Sequence, residues 1–210
     1  EINYQNAKNE IKDLFGNSEV FDYPKPTYIV NKLASMVSMD DSDIVMDFFS
    51  GSASSADAVM QLNQQDGIQR KFIMVQLPAQ LDENSQGAKE GYNTICEIGE
   101  ERIRRAGKKL TENSTNQLSL EEKQPLDIGF RVFKLDTSNL AKWDSTPTED
   151  EEELQTRFWG MADTVKVGRT PEDLVYEVML KLGIPLDYKV IPIKINDKEA
   201  FAIGEDCLVL

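Results

Sequence analysis

The chain has no histidine, and its two cysteines, Cys96 and Cys207, lie far apart. Without histidine there is no imidazole base, no Ser–His–Asp triad and no His-ligated metal site. The cysteine spacing excludes a thiolate metal cluster, so a reducing, cytoplasmic setting with both thiols buried or inert is expected. No segment reads as a signal peptide, and no apolar run is long enough to span a membrane. Cations are in the minority: 23 Lys and Arg stand against 37 Asp and Glu, a formal charge of −14. That field repels nucleic acid, so a grip on DNA needs a local patch or sequence outside these 210 residues. The first residue is Glu1 rather than Met, as expected of a processed chain or a piece of something longer.

What is present suffices for a core, since 40% of the residues are apolar. Residues 6–15 have helical spacing in Ala7, Ile11, Leu14 and Phe15, and Gly16 stops them. Pro24 and Pro26 force an extended approach to a helix that Thr27 is expected to cap, with Ile29, Val30, Leu33 and Val37 as its stripe. Residues 43–49 form a nearly continuous apolar run, the pattern of a strand buried on both faces. Residues 50–55 are all small, and Ala56, Val59, Met60 and Asn63 follow at helical spacing up to Asp66-Gly67. Residues 71–77 read as a second buried strand. Strand, small-residue loop, helix, strand is a βαβ unit with an expected right-handed crossover. Beyond it come a loop over 79–92, a helix over 94–110, an exposed loop over 111–127 and an alternating third strand over 129–135.

The composition changes after Trp143. Thr148 with Glu151 matches a capping box, and Thr170-Pro171-Glu172-Asp173 opens a helix carrying Leu174, Val175, Val178 and Leu182 up to Gly183. Short strands are expected over 188–195, 199–203 and 207–210, with turns at Asn196-Asp197 and Gly204-Glu205. A boundary between two subdomains is expected between Leu135 and Pro147.

Chemistry concentrates in Asp47-Phe48-Phe49-Ser50-Gly51-Ser52-Ala53-Ser54-Ser55. Small residues between a strand end and a helix start let backbone turn closely around a ligand, and the helix start adds unpaired N–H groups. It is not a P-loop, lacking Gly-Lys-Ser/Thr, nor a dinucleotide fingerprint, since Gly51 is its one glycine. Gln76, ending the second strand, stands where a nucleoside ribose would be met, able both to donate and to accept. A plain strand–helix turn packed with small residues is the bland alternative.

The loop resembles the S-adenosyl-L-methionine motif of amino-methyltransferases, Phe-x-Gly-x-Gly, with Phe49, Gly51 and Ala53 on its defining positions. Upstream, Asp22-Tyr23-Pro24-Lys25-Pro26-Thr27 is similar to the Lys-Pro motif that precedes it in the β-ordered class. Residues 70–78, 98–107 and 129–136 resemble modification (Mod) subunits of type III restriction–modification systems, which are β-class DNA adenine-N6 methyltransferases. The resemblance implies the C-terminal part of such a subunit: a partial Rossmann-like methyltransferase sheet, class α/β, with a small α/β C-terminal domain. It implies the end of a preceding region over 1–20, cofactor binding over 21–140 and the small domain over 141–210. Lys25, Pro26, Thr27, Asp47, Phe48, Phe49, Ser50, Gly51, Ser52, Ala53 and Gln76 are the implied cofactor contacts. DNA, bound through the absent N-terminal half, the restriction subunit and a second copy of the chain are the implied partners. The chain departs from the family at Ala53, usually Gly, and at Ser54-Ser55, usually Thr-Thr. The Asp-Pro-Pro-Tyr motif that holds the target adenine is absent, so this chain carries no catalytic residue; in β order the motif is expected N-terminal to Glu1.

Two other readings stay open: a non-catalytic subunit-assembly module, and a Rossmann-type enzyme using a nicotinamide nucleotide. Arg102, Arg104, Arg105, Lys108 and Lys109 form a basic cluster, read as the solvated end of a helix with DNA phosphate contact as the alternative. Trp143 and Trp159 are read as packing residues and the acids over 150–153 as a solvated first turn. The edge of the strand over 43–49 is expected to be covered, by self-association or by the helix over 6–15.

Overall fold

The computed structural model describes residues 4–115, 125–142, 146–147, 150–160, 164–204 and 208–209. The chain is mixed α/β with small sheets and divides into two compact units, Glu1–Phe130 and Arg131–Leu210. The division falls just ahead of the expected 135–147 stretch.

In the first unit, α1 (Tyr4–Phe15) ends at Gly16, whose φ of +82° an L side chain rarely adopts. The start of α2 (Thr27–Ala34) differs from expectation. Pro26, extended at φ −73° and ψ 139°, is the N-cap and supplies no side-chain bond. Thr27 therefore lies inside the first turn, where its N–H and hydroxyl donate to the Glu10 carboxylate at 3.1 Å.

The βαβ unit is present. β1 (Ile44–Asp47) and β2 (Lys71–Met74) pair in parallel, from Ile44 opposite Lys71 to Asp47 opposite Met74. Between them runs α3 (Ser54–Asp66), closed by Gly67 in the left-handed region. The short α4 (Gln86–Lys89) occupies part of the expected 79–92 loop, and α5 (Ile95–Thr115) continues past Leu110. The core is made of Ala53, Ala56 and Met60 against Ile103 and Ala106, with Phe72, Met74 and Phe130 around them. A second cluster joins Ile11 and Val20 to Ile98.

Three expectations are corrected here. Neither strand is buried on both faces. Val45, Asp47, Phe72 and Met74 are half-buried, whereas Ile44 and Met46 are 53% and 58% exposed and Ile73 is 45% exposed. Strand side chains alternate, and α3 covers one face only, while α5 packs on α3 and α1 on α5. Hence α1 does not cover β1; α2 packs against α3 but stops at Ala34, short of Val37, and of its expected stripe Ile29 and Leu33 are 48% and 59% exposed. The third correction is the strand over 129–135. No described residue offers it a ladder, and its apolar side chains part company: Phe130 joins the first core, while Phe133 meets Tyr176 edge-on at 5.0 Å in the second unit.

In the second unit, the expected Thr148 cap lies outside the described residues. Asp150 accepts the N–H groups of Glu152 and Glu153 at 2.9 and 3.4 Å at the start of α6 (Glu151–Gly160). Trp159 on α6 is 77% exposed, not a packing residue; Trp143 and Cys207 lie outside the described residues. The start of α7 (Pro171–Leu182) is the expected one, a capping box between Thr170 and Asp173 with Pro171 in the first turn. Val175 and Met179 face inward, but Leu182 is exposed. β3 (Val190–Ile195) and β4 (Lys198–Ile203) form an antiparallel hairpin, to which β5 (Leu208–Val209) adds. Asn196 and Asp197 take φ of +50° and +64°, the mirror-image turn that suits a hairpin. Val175, Met179 and Ile203 seal this core.

Candidate functional site

The loop between β1 and α3 is held at every corner. Asp47 closes β1 and uses both carboxylate oxygens. Oδ1 accepts the Phe49 N–H at 3.0 Å, and Oδ2 accepts the Ser55 hydroxyl at 2.6 Å. One side chain thus fixes both the turn leaving the strand and the first turn of α3. Ser50 donates its N–H to the Val75 carbonyl at 3.2 Å, and Gly51 donates its own to Gln76 Oε1 at 2.8 Å. Gln76 therefore shapes the loop from the end of the neighbouring strand, and its Nε2 donates to the Leu77 carbonyl at 3.2 Å. The ring of Phe21 lies against Gly51, and Cys96, half-buried, donates its thiol to the Gln76 carbonyl at 3.5 Å.

Gly51 takes φ of +51°, and Ala53 follows at φ 58°, ψ 36°, as the N-cap of α3. An L residue in that region carries a steric cost of about 1–2 kcal/mol. The methyl of Ala53 is nonetheless buried, on the core side. Ala53 offers no side-chain cap, so the first N–H groups of α3 are not closed off by it. Ser50, Ser52, Ser54 and Ser55 are buried, while Phe48 and Phe49 project at 62% and 73% exposure with ring centroids 5.3 Å apart. The loop is thus open on its phenylalanine side and closed on its serine side.

Of the second expected motif, Pro26 and Thr27 are buried and Lys25 is exposed. Thr27 is tied to the loop indirectly, through Glu10 and Arg102. Arg102 is fully buried. Its Nε and Nη2 bind Asp57 Oδ2 at 3.0 and 2.9 Å, its Nη2 binds Glu10 Oε2 at 3.0 Å, and its Nη1 reaches Ser52 Oγ at 3.3 Å. Removing one partner from a buried pair of this kind costs about 3–5 kcal/mol, because the other charge is left uncompensated.

Arg102 is therefore not part of the expected solvated cluster. Arg104 and Arg105 pair along the helix with Glu100 and Glu101, but Arg102 does not belong with them. The missed signal was helical spacing. Arg102 stands one turn from Ile98 and one turn from Ala106, both buried, on the inward stripe of α5. A charged residue on such a stripe needs a buried partner, and Asp57 in the small-residue face of α3 supplies it.

The polar side chains of the loop are turned to one another, and its exposed surface is that of Phe48 and Phe49. No group of His, Cys, Asp and Glu suited to a metal occurs among the described residues. Nor is any helix among them long and apolar enough to cross a membrane. Two concave spaces lie away from the loop. One of 410 Å³ sits beside Tyr28, Leu62 and Arg70, and one of 520 Å³ sits on the β3–β4 hairpin near Pro171.

No family model matches the chain. It is similar to the Mod subunit of the type III restriction–modification enzyme StyLTI of Salmonella typhimurium, 40% identical over 144 residues, which is 69% of this chain and 21% of that protein. With the Mod subunit of the type III enzyme EcoP15I of Escherichia coli it is 33% identical over 192 residues, 91% of this chain and 26% of that one. With the type II methyltransferase M.KpnI of Klebsiella pneumoniae it is 33% identical over 94 residues, 45% of this chain and 22% of the relative. The chain thus spans about a fifth to a quarter of the length of the curated relatives it matches.

Proposed function

The chain is homologous to the Mod subunits of type III restriction–modification systems over part of their length, and from that premise we propose that it is the cofactor-binding part of a DNA methyltransferase. The cofactor is S-adenosyl-L-methionine, and the whole subunit methylates the exocyclic N6 of adenine after extruding the base from the duplex. DNA and a restriction subunit are its partners, and its sheet is the partial form of a Rossmann-like methyltransferase sheet.

The observation that carries this reading is the loop Asp47–Ala53, ending a parallel strand and opening a helix that no side chain caps. Its residues fit the cofactor. Backbone at positive φ in Gly51 and Ala53 brings the chain close to a ligand, and the first N–H groups of α3 face acceptors on it. Phe48 and Phe49 offer exposed rings to an adenine or to a cation. Lys25, Pro26 and Thr27 are assigned to a second wall on the resemblance of their motif and on the bonds that link Thr27 through Glu10 and Arg102 to Ser52. Asp47 and Gln76 shape the loop rather than reach out of it, since each is already bonded inward. The cofactor supplies an electrophilic methyl group on a sulfonium; this chain's residues bind and orient it and keep water out. The charge of −14 suits a sulfonium and an ammonium better than the pyrophosphate of a nicotinamide nucleotide. The exposed apolar face of β1 and β2 favours a second reading, a subunit-assembly module whose loop is only structural.

Calorimetry with S-adenosylmethionine, S-adenosylhomocysteine and NAD separates these readings. Heat from the first two and none from NAD is expected. Silence with all three leaves the assembly module, and heat from NAD alone restores the nicotinamide reading. The chain alone is expected to methylate no DNA, because the Asp-Pro-Pro-Tyr motif is absent from it; cofactor-dependent methylation by the purified chain overturns that point.

A further inference from the structure

Residues 25–27 and 47–53 are distant in sequence, and one buried side chain lies between the groups that anchor them. Arg102 reaches Ser52 Oγ with Nη1 and Glu10 Oε2 with Nη2. The Glu10 carboxylate accepts both the N–H and the hydroxyl of Thr27, each at 3.1 Å. The remaining side of the guanidinium grips Asp57 in the first turn of α3.

The pairing with Asp57 by itself satisfies the buried charge and fastens α5 to α3. The bonds to Ser52 and Glu10 do something different, because each points at one of the two walls. A guanidinium is planar and its donors leave at fixed angles, so groups bonded to it keep a fixed spacing. Arg102 is fully buried, and the Glu10 side chain is 26% exposed, so Glu10 is the end of the chain of bonds that lies nearer solvent. A displacement of Thr27 changes the Glu10 bonds, then those of Arg102, then those of Ser52.

We propose that Arg102 is a positioning residue, and that the relay Thr27–Glu10–Arg102–Ser52 sets the distance between the two walls of the cofactor site. The assignment of the walls rests on the cofactor reading above; the relay itself does not. Binding of the cofactor to either wall therefore orders the other.

The test uses Glu10→Gln and Ser52→Ala, singly and together, in the full chain, because Arg102→Met strands Asp57 and threatens folding. Amide hydrogen exchange is read first, without any ligand. Glu10→Gln is expected to speed exchange at residues 50–55 by about tenfold, while α7 in the other unit keeps its rate. Affinity for S-adenosylmethionine is expected to fall about tenfold in each single variant and by less than the product in the double variant, as coupled sites behave. Arg102→Lys keeps the charge without the fork and is expected to leave residues 50–55 as fast as Glu10→Gln does. Unchanged exchange at 50–55 in folded Glu10→Gln protein overturns the relay. Full additivity of the affinity losses in the double variant also overturns it. If the unaltered chain binds no S-adenosylmethionine, the cofactor reading falls, and the exchange rates alone decide the relay.

Discussion

Gly99 on α5 leaves the space that Ala53 occupies: a Cβ at position 99 would lie 3.5 Å from the Ala53 Cβ and 3.2 Å from the Gly51 carbonyl oxygen. The methyl of Ala53 thus meets a glycine on the facing helix. Gly99→Ala sets two effects against each other. Alanine gains about 1 kcal/mol in helix propensity, and overpacking costs about 1–3 kcal/mol. Backbone is the obstructing group, so the cost is expected to win. Chemical denaturation should show a net loss of about 1 kcal/mol, together with weaker cofactor binding. An increase in stability would mean that the loop yields freely.

Ala53→Gly removes the left-handed strain, worth about 1–2 kcal/mol, and gives up a buried methyl, worth about 0.8 kcal/mol. A more flexible unfolded chain takes back about 0.4–1 kcal/mol more. Stability is expected to stay within about 1 kcal/mol of the original. Affinity for S-adenosylmethionine is expected to be equal or higher. Weaker binding, measured by titration calorimetry, would contradict the placement of this residue in the loop.

The second unit carries an acid-sensitive tie. Glu177 accepts from Lys181, from the Ser138 hydroxyl and from the Asn139 N–H, which lower its pKa from the ordinary 4.5 to about 2. A depressed carboxylate stabilises the fold above its unfolded pKa, and the contribution is lost as pH falls through the folded value. Melting temperature should therefore decline between pH 4.5 and about 2. Glu177→Gln should be less stable at neutral pH and should lose part of that decline. An identical pH profile in the variant would remove Glu177 from the account.

The open face of β1 and β2 predicts association. Ile44, Met46, Phe48 and Ile73 present apolar surface on one side of a sheet whose outer edge has no partner among the described residues. Light scattering should show a mass that rises with concentration. Met46→Glu together with Ile73→Lys should lower it towards the monomer. A strictly monomeric unaltered chain would show that this face is tolerated in water.

Negligible affinity for duplex DNA at physiological salt is expected of a chain with net charge −14, the more so because Arg102 is buried and Arg104 and Arg105 are paired with glutamates. A tight, salt-sensitive complex in a filter-binding assay would point to a basic face that these pairings do not account for.

The sequence by itself determined what is local. The order strand, small-residue loop, helix, strand, the stop at Gly16, Gly67 and Gly183, the box from Thr170 to Asp173 and the hairpin turn at Asn196-Asp197 all follow from bonds within a few residues of each other. Cap chemistry, backbone sterics and periodicity act at that range, and they are written in consecutive residues. Only tertiary structure decided what depends on a distant neighbour. An apolar run such as 43–49 looks the same whether one face is covered or two, and coverage by α3 alone left Ile44 and Met46 open. The alternation over 129–135 had no strand to pair with among the described residues, so Phe130 joined the core of the first unit while Phe133 stayed half exposed against Tyr176. Arg102 could be told from Arg104 only by its place on the inward stripe, and its meaning came from Glu10, Ser52 and Asp57. The reason is physical: burial of a charge is decided by the partners that fold against it, and those partners are brought together from 92 residues away by packing that no local pattern encodes.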